Sequence, residues 1–288
     1  MKKVTGFFAF LGRLAAGIVL LNPRLSATLG GLSLVLCLAA WGGHAVTKGV
    51  GAGPAFAVAK APISLAAIPS WLDPAVLGDL HRRHLASLPA RLTDADAAEK
   101  VGLALATSPW VREVVSVDLD ATPRVCLDLA FREPVAAVPW GRGVGFVDRD
   151  GVLLPRQFYR PEALAKPVLR GVRTAPPRQA GLPWKDPGLQ AGLEVLSRFR
   201  EDPAVRGNPA AALESIDVTN VGEKRPELPE VVCLTRRHLR LNFSVSGRMG
   251  RPTLEEQLGR FRQVLLIDRD LALARSYVDL RFERPVGS

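Results

Sequence analysis

The chain has 288 residues, 48% of them hydrophobic and 23% charged, an ordinary balance for a folded protein of more than one modest domain. Its formal charge of +10 is gathered at the start: Lys2, Lys3, Arg13, Arg24, Lys48 and Lys60 all precede the first acidic residue, Asp73, and beyond residue 63 there are 32 basic against 28 acidic residues. A basic excess confined to one tail serves orientation at a membrane and contact with anionic headgroups, and it speaks against nucleic acid, which calls for a basic stripe on the folded part.

Residues 1–24 read as a basic cytoplasmic tail. Within it Gly6–Leu21, interrupted by Arg13, suits an interfacial helix, with a short first span as the alternative. From Leu25 to Thr47 no charged residue occurs, enough chain for a helix through a bilayer core of about 30 Å. The expectation is a transmembrane helix over 25–47, with a single-pass protein in the cell inner membrane, N-terminus cytoplasmic and bulk extracytoplasmic. A cleavable signal peptide is the rival reading; the apolar run is longer than a usual signal core and begins late. Residues 48–62, rich in glycine, alanine and proline, read as a flexible linker.

Ordered elements follow. Ile63–Ile68 is a short strand candidate, and Asp73-Pro74 opens a helix to about Ser87 with Val76, Leu77, Leu80, His84 and Leu88 on one stripe. A second helix begins at Thr93-Asp94, carries Ala97, Val101, Leu103 and Leu105 on its apolar face, and stops at Ser108-Pro109. Two strands come next. Val115, Val117 and Leu119 alternate with polar residues in the first, and Val125, Leu127, Leu129 and Phe131 in the second, the period of a sheet with one buried face. This β-α-α-β-β unit occupies 63–133.

From Pro134 short strands predominate: Val135–Trp140, Gly145–Asp148 and Val152–Leu154, the last reached through an Asp148-Arg-Asp-Gly151 hairpin. Leu189–Arg200 is an amphipathic helix. Ile216–Val221, Val231–Thr235 and Leu239–Val245 are strands. Thr253 with Glu256 forms a capping box for a further helix, and Tyr277–Glu283 is a last strand. Residues 134–288 therefore make a β-rich mixed domain, and the fold class expected is α+β behind one N-terminal transmembrane helix.

Chemistry has little to stand on. There is no Gly-x-Ser-x-Gly elbow, His-Glu-x-x-His pair or Gly-rich phosphate loop, so no catalytic residue, cofactor site or small-molecule substrate is expected. His81-Arg-Arg-His84 has helical metal-site spacing, but no carboxylate or cysteine stands close in sequence to complete it. Asp148-Arg-Asp150-Gly lacks the remaining ligands of a calcium loop, and no metal is expected there. Cys37, Cys126 and Cys233 give no disulfide framework, and the last two read as half-buried thiols.

Three stretches, in order, resemble the FtsQ/DivIB cell-division family: Ser108-Pro-Trp-Val-Arg-Glu-Val-Val-Ser-Val117, Phe131-Arg-Glu-Pro-Val-Ala136 with Phe146-Val-Asp-Arg-Asp-Gly-Val152, and Tyr277-Val-Asp-Leu-Arg-Phe282. The resemblance implies a POTRA-like domain at 63–133 and a β domain at 134–288. It also implies a non-enzymatic divisome scaffold that binds FtsB- and FtsL-type single-span proteins and so controls septal cell-wall synthesis. Carried onto this chain, the partner-binding residues are Tyr277, Asp279, Arg281 and Phe282, on a strand whose free edge can accept a partner strand. Phe282 stands where the family usually has tyrosine, and Pro285 interrupts the further edge strand that often follows. The alternatives are a POTRA-bearing module for outer-membrane protein assembly or secretion, for which the chain is too short to add a barrel, and an envelope enzyme.

Overall fold

The computed structural model describes residues 56–119, 124–222, 225–245, 252–271 and 277–282, together with Cys37 and Ala40. The region read as tail (1–24), the region read as membrane helix (25–47) apart from Cys37 and Ala40, and most of the linker (48–62) lie outside the described residues.

The first sheet grows from Ile63–Leu65 (β1), Val111–Leu119 (β2) and Val125–Phe131 (β3), in the order β1-β3-β2, with β1 parallel and β2 antiparallel to β3. Helix α1, Val76–Leu80, continues as a π-helical turn through His81–Leu85, and α2 covers Ala97–Ala106. In β3 the alternation works as the sequence reads: Val125, Leu127, Leu129 and Phe131 are all buried. In β2 it does not. Register shifts between Val111 and Glu113 and between Val114 and Ser116 turn the pleat over, leaving Val115 57% exposed. One extra residue moves every later side chain to the other face. Leu103, expected on the apolar face of α2, is likewise exposed at 65%, while Ala97, Val101 and Leu105 are buried.

The second sheet has eight strands: Ala136–Trp140 (β4), Gly143–Val147 (β5), Leu153–Leu154 (β6), Val168–Arg170 (β7), Leu213–Asp217 (β8), Val231–Thr235 (β9), Arg240–Phe243 (β10) and Tyr277–Asp279 (β11). Their order is β11-β10-β9-β8-β7-β4-β5-β6. Helices α3 (Pro161–Leu164), α4 (Pro187–Glu201) and α5 (Leu254–Ile267) complete the element list.

The fold class expected from sequence is corrected on two counts. Among the described residues no helix is long and apolar enough to cross a membrane. The architecture is mixed α/β, with five α-helices and two sheets among those residues, not a β domain with helices set apart. The physical reason lies in three parallel pairings: β4 with β7, β7 with β8, and β10 with β11. Parallel neighbours need a crossover rather than a hairpin, and α4 and α5 are the crossovers for the last two. Leu189, Leu193, Leu196 and Phe199 of α4 and Leu258, Phe261 and Leu265 of α5 bury against the sheet, with Phe199 stacked on Phe261 at 5.3 Å.

Strand β7 sits close under α4 because Gly192 faces it; a Cβ added there would lie 2.7 Å from Leu169 Cδ1. Asp186 fixes the start of α4, its carboxylate accepting from the backbone N–H groups of Leu189, Arg173 and Thr174. Burial works against the Asp186 charge, but these amides outweigh it and hold the carboxyl below its ordinary value.

The two sheets share a core. In β4, Ala136 and Val138 face α4, whereas Ala137, with Phe146 of β5 and Leu154 of β6, packs into the cluster that holds Trp110, Val111 and Phe131. Burial on both faces explains why these strands read as unbroken apolar runs. Trp110 is fully buried at this junction, donating to the carbonyl of Gln157 and meeting Phe158 edge-on at 5.3 Å.

Candidate functional site

The eight-stranded sheet has two edges, and they differ. The outer side of β6 is taken by the segment between β7 and α4: Leu153 N–H donates to Leu182 O, and Gly181 N–H to Leu153 O. On the other edge β11 pairs in parallel with β10 alone, Tyr277 opposite Arg240, Val278 opposite Leu241 and Asp279 opposite Asn242. Nothing among the described residues pairs its outer side. A strand uses half of its backbone groups toward each neighbour, so β11 offers amides and carbonyls to an added strand.

Side chains fix this edge from beneath. Val278 and Leu280 are buried against the helix side. Arg260 of α5 donates to the carbonyls of Leu280 and Phe282, at 2.8 and 2.5 Å. Asp279 is buried and accepts from the Arg281 backbone N–H and from Arg281 Nε and Nη, at 3.1, 2.9 and 2.7 Å; Asn242 Nδ2 donates to it from β10 at 3.3 Å. Burial opposes the Asp279 charge, and the Arg281 hydrogen bonds outweigh it, so the carboxyl sits below its ordinary value. Arg281 also donates to Glu227 O at 3.3 Å and lies over the Phe282 ring at 5.4 Å.

Phe282 is 53% exposed beside this edge. Asp279 and Arg281 are thus the frame of the chain's last described turn, while Phe282 and half-buried Tyr277 carry their side chains at the surface there.

The sheet face beyond β4 is open on the side away from the helices. The register places Ser215, Leu234, Arg240 and Tyr277 in one row and Arg170, Asp217, Val232, Asn242 and Asp279 in the next. A groove of about 410 Å³ lies on this face, lined by Asp217, Val232 and Arg240 from the strands and Asn220, Arg225 and Leu228 from the turn above. Asn220 Nδ2 holds that turn by donating to the carbonyls of Arg225 and Leu228. Arg281, through Glu227, ties the turn to the edge strand.

Comparison with known proteins yields no family model that matches the chain and no match among curated proteins.

Of the four residues picked from the sequence, Tyr277 and Asp279 lie on β11, whereas Arg281 and Phe282 follow it in a turn and a bend, because the strand expected over Tyr277–Glu283 ends at Asp279. Asn242, Arg240, Arg260 and the 225–230 turn were missed. They lie 17 to 57 residues away in sequence; the parallel β10–β11 pairing brings Arg240 and Asn242 to the edge, and hydrogen bonds from Arg260 and to Glu227 bring the rest. The Tyr277-x-Asp279 alternation could have suggested a polar row on the open face.

Other candidates resolve into structure. His84 faces Thr107 Oγ at 3.2 Å, and Arg82 and Arg83 both pair with Asp79. Among the described residues no three His, Cys, Asp or Glu side chains gather into a metal set. Asp148 Oδ1 accepts from the amides of Asp150 and Val152, closing the hairpin. Cys233 is fully buried, which pushes its thiol up, and Cys126 accepts from Ser64 Oγ at 3.2 Å.

Proposed function

We propose that the protein is a non-enzymatic scaffold of the bacterial divisome that takes up a strand of an FtsB- or FtsL-type division protein along β11 and thereby influences septal cell-wall synthesis. The observation that carries the reading is the outer side of β11, unpaired among the described residues, beside a groove and an exposed aromatic, Phe282. Main-chain hydrogen bonds supply affinity in strand addition, and alternate side chains supply selectivity. The groove beside the edge, with Arg225, Arg240 and Asp217 around Val232 and Leu228, suits a partner residue with an apolar stem and a polar tip. The ordered motifs of the FtsQ/DivIB resemblance support the choice of partner. The basic stretch Lys2, Lys3, Arg13 and Arg24 supports an inner-membrane address, with the folded part on the extracytoplasmic side.

The test is binding of the full chain to extracytoplasmic segments of FtsB- and FtsL-type proteins from the same organism, with hydrogen exchange as the readout. The expected result is new protection of backbone amides in Tyr277–Asp279 and weakening by Phe282→Ala of about tenfold, the scale of a lost aromatic anchor. Binding with no change in exchange along β11, or no binding to either segment, sinks the proposal.

A further inference from the structure

A second concave site lies elsewhere on the same sheet and shares no lining residue with the β11 groove. It is a pocket of about 440 Å³ where the end of α4, the turn at 205–209, the start of β8 and the β9–β10 turn converge. That volume falls in the range of small-ligand sites.

Its floor is apolar, made by Leu196, Phe199, Val205 and Leu213, all of them buried side chains. Its rim is cationic: Lys166, Arg200, Arg206 and Arg236, with no aspartate or glutamate in the lining. Lys166 is satisfied by Glu133 at 3.0 Å. The three arginines are exposed and make no ion pair among the described residues. The rim is held in place by backbone bonds: Arg206 N–H to Asp202 O at 2.9 Å, Asn208 N–H to Val205 O at 2.9 Å and Arg236 N–H to Ala212 O at 2.8 Å. Three like charges around one opening, with no acid in the lining, make the site favourable to an anion.

We propose that this pocket binds a phosphate ester whose apolar body lies on the Phe199–Leu213 floor. Carboxylate is the weaker fit. It brings a single negative charge, whereas a phosphate monoester brings nearly two and offers three acceptor oxygens to guanidinium forks. The floor then selects an alkyl or aryl ester over inorganic phosphate, because free phosphate leaves the apolar wall in water.

The experiment is calorimetric titration of the full chain with octyl phosphate, octanol and inorganic phosphate, repeated on the Arg206→Gln/Arg236→Gln double variant. Both positions are exposed, and the variant's thermal midpoint verifies that it folds. Octyl phosphate is expected to bind at least about tenfold more tightly than either control, and the double variant to lose about tenfold, the scale of two charge-assisted contacts.

Sedimentation with phosphatidic-acid vesicles separates the sources. Vesicle binding that weakens in the double variant assigns a lipid-borne phosphate, and octyl phosphate binding without a variant-sensitive vesicle signal assigns a soluble ester. Equal affinity of wild type and variant for octyl phosphate, or octanol binding as tightly as its phosphate, overturns the proposal. Neither result bears on the β11 edge.

Discussion

Arg132 donates a guanidinium hydrogen to Asp148 at 2.5 Å, and Asp148 is almost wholly buried where the two sheets meet. The same arginine offers its backbone carbonyl to the Tyr159 hydroxyl at 2.8 Å, so one residue at the end of β3 touches both the β5–β6 hairpin and the segment before α3. Asp150, two residues on, pairs with Arg112 of β2.

Removing the cation should therefore be costly. Arg132→Met leaves a buried carboxylate without its partner, a loss of about 3 kcal/mol. The lower end of the usual range applies because Asp148 keeps two backbone donors. Urea unfolding measures it, and Arg132→Met/Asp148→Asn should recover part of the loss. A shift under about 0.5 kcal/mol for the single variant contradicts the role given to this pair.

Two glycines in helices should respond in opposite directions. Gly192→Ala puts a methyl 2.7 Å from Leu169 Cδ1 and 3.0 Å from Val218 Cγ1, overpacking α4 on β7 at a cost of about 1–3 kcal/mol. Gly259, in α5, has nothing within 4 Å of the added Cβ, so Gly259→Ala should gain about 0.5–1 kcal/mol from helix propensity. Thermal midpoints of the two variants decide the matter.

Acid should weaken the molecule through Asp186 and Asp279. Both carboxyls sit below the ordinary 3.8 in the folded chain. A folded value below the unfolded one gives stability that is fully present above the unfolded pKa and is lost as pH falls through the folded pKa. The urea midpoint should thus drop below about pH 4. Asp186→Asn keeps a capping oxygen for Leu189 but leaves the Arg173 and Thr174 amides without their carboxylate acceptor, so it should lower stability at neutral pH by about 1–2 kcal/mol and flatten that acid slope.

His84 titrates in a separate window. Its ring is held neutral first by burial, against the pull of Asp79, so its pKa lies below 6.5. Unfolding then takes up a proton, and stability should decline as pH falls from about 6.5 toward the folded value. His84→Gln should remove this component and leave the carboxylate component intact. A thermal midpoint with the same pH dependence in both proteins between pH 7 and 5 would falsify it.

Legibility in the sequence followed locality. The alternation of β3 and the Thr253–Glu256 capping box could be read directly, because each depends on residues within a few positions of one another. β2 broke the rule because bulges depend on its partner strand rather than on its own pattern. β7 was invisible: Val168-Leu-Arg170 is too short to show a period, and it becomes a central strand only through two parallel neighbours and the close approach of Gly192. With the parallel β10–β11 pair, it turns a β-rich reading into a mixed α/β sheet. The candidate edge was half legible. Tyr277 to Phe282 could be named from a motif, but the groove beside them is assembled from residues that sequence spacing does not connect.

The common core around Trp110 has a mechanical corollary. With an indole wedged between the sheets, and Leu72 bridged to Tyr159 by backbone bonds, the halves lack the slack of beads on a string. Tension applied at the outer strand would travel through this joint as through a strut.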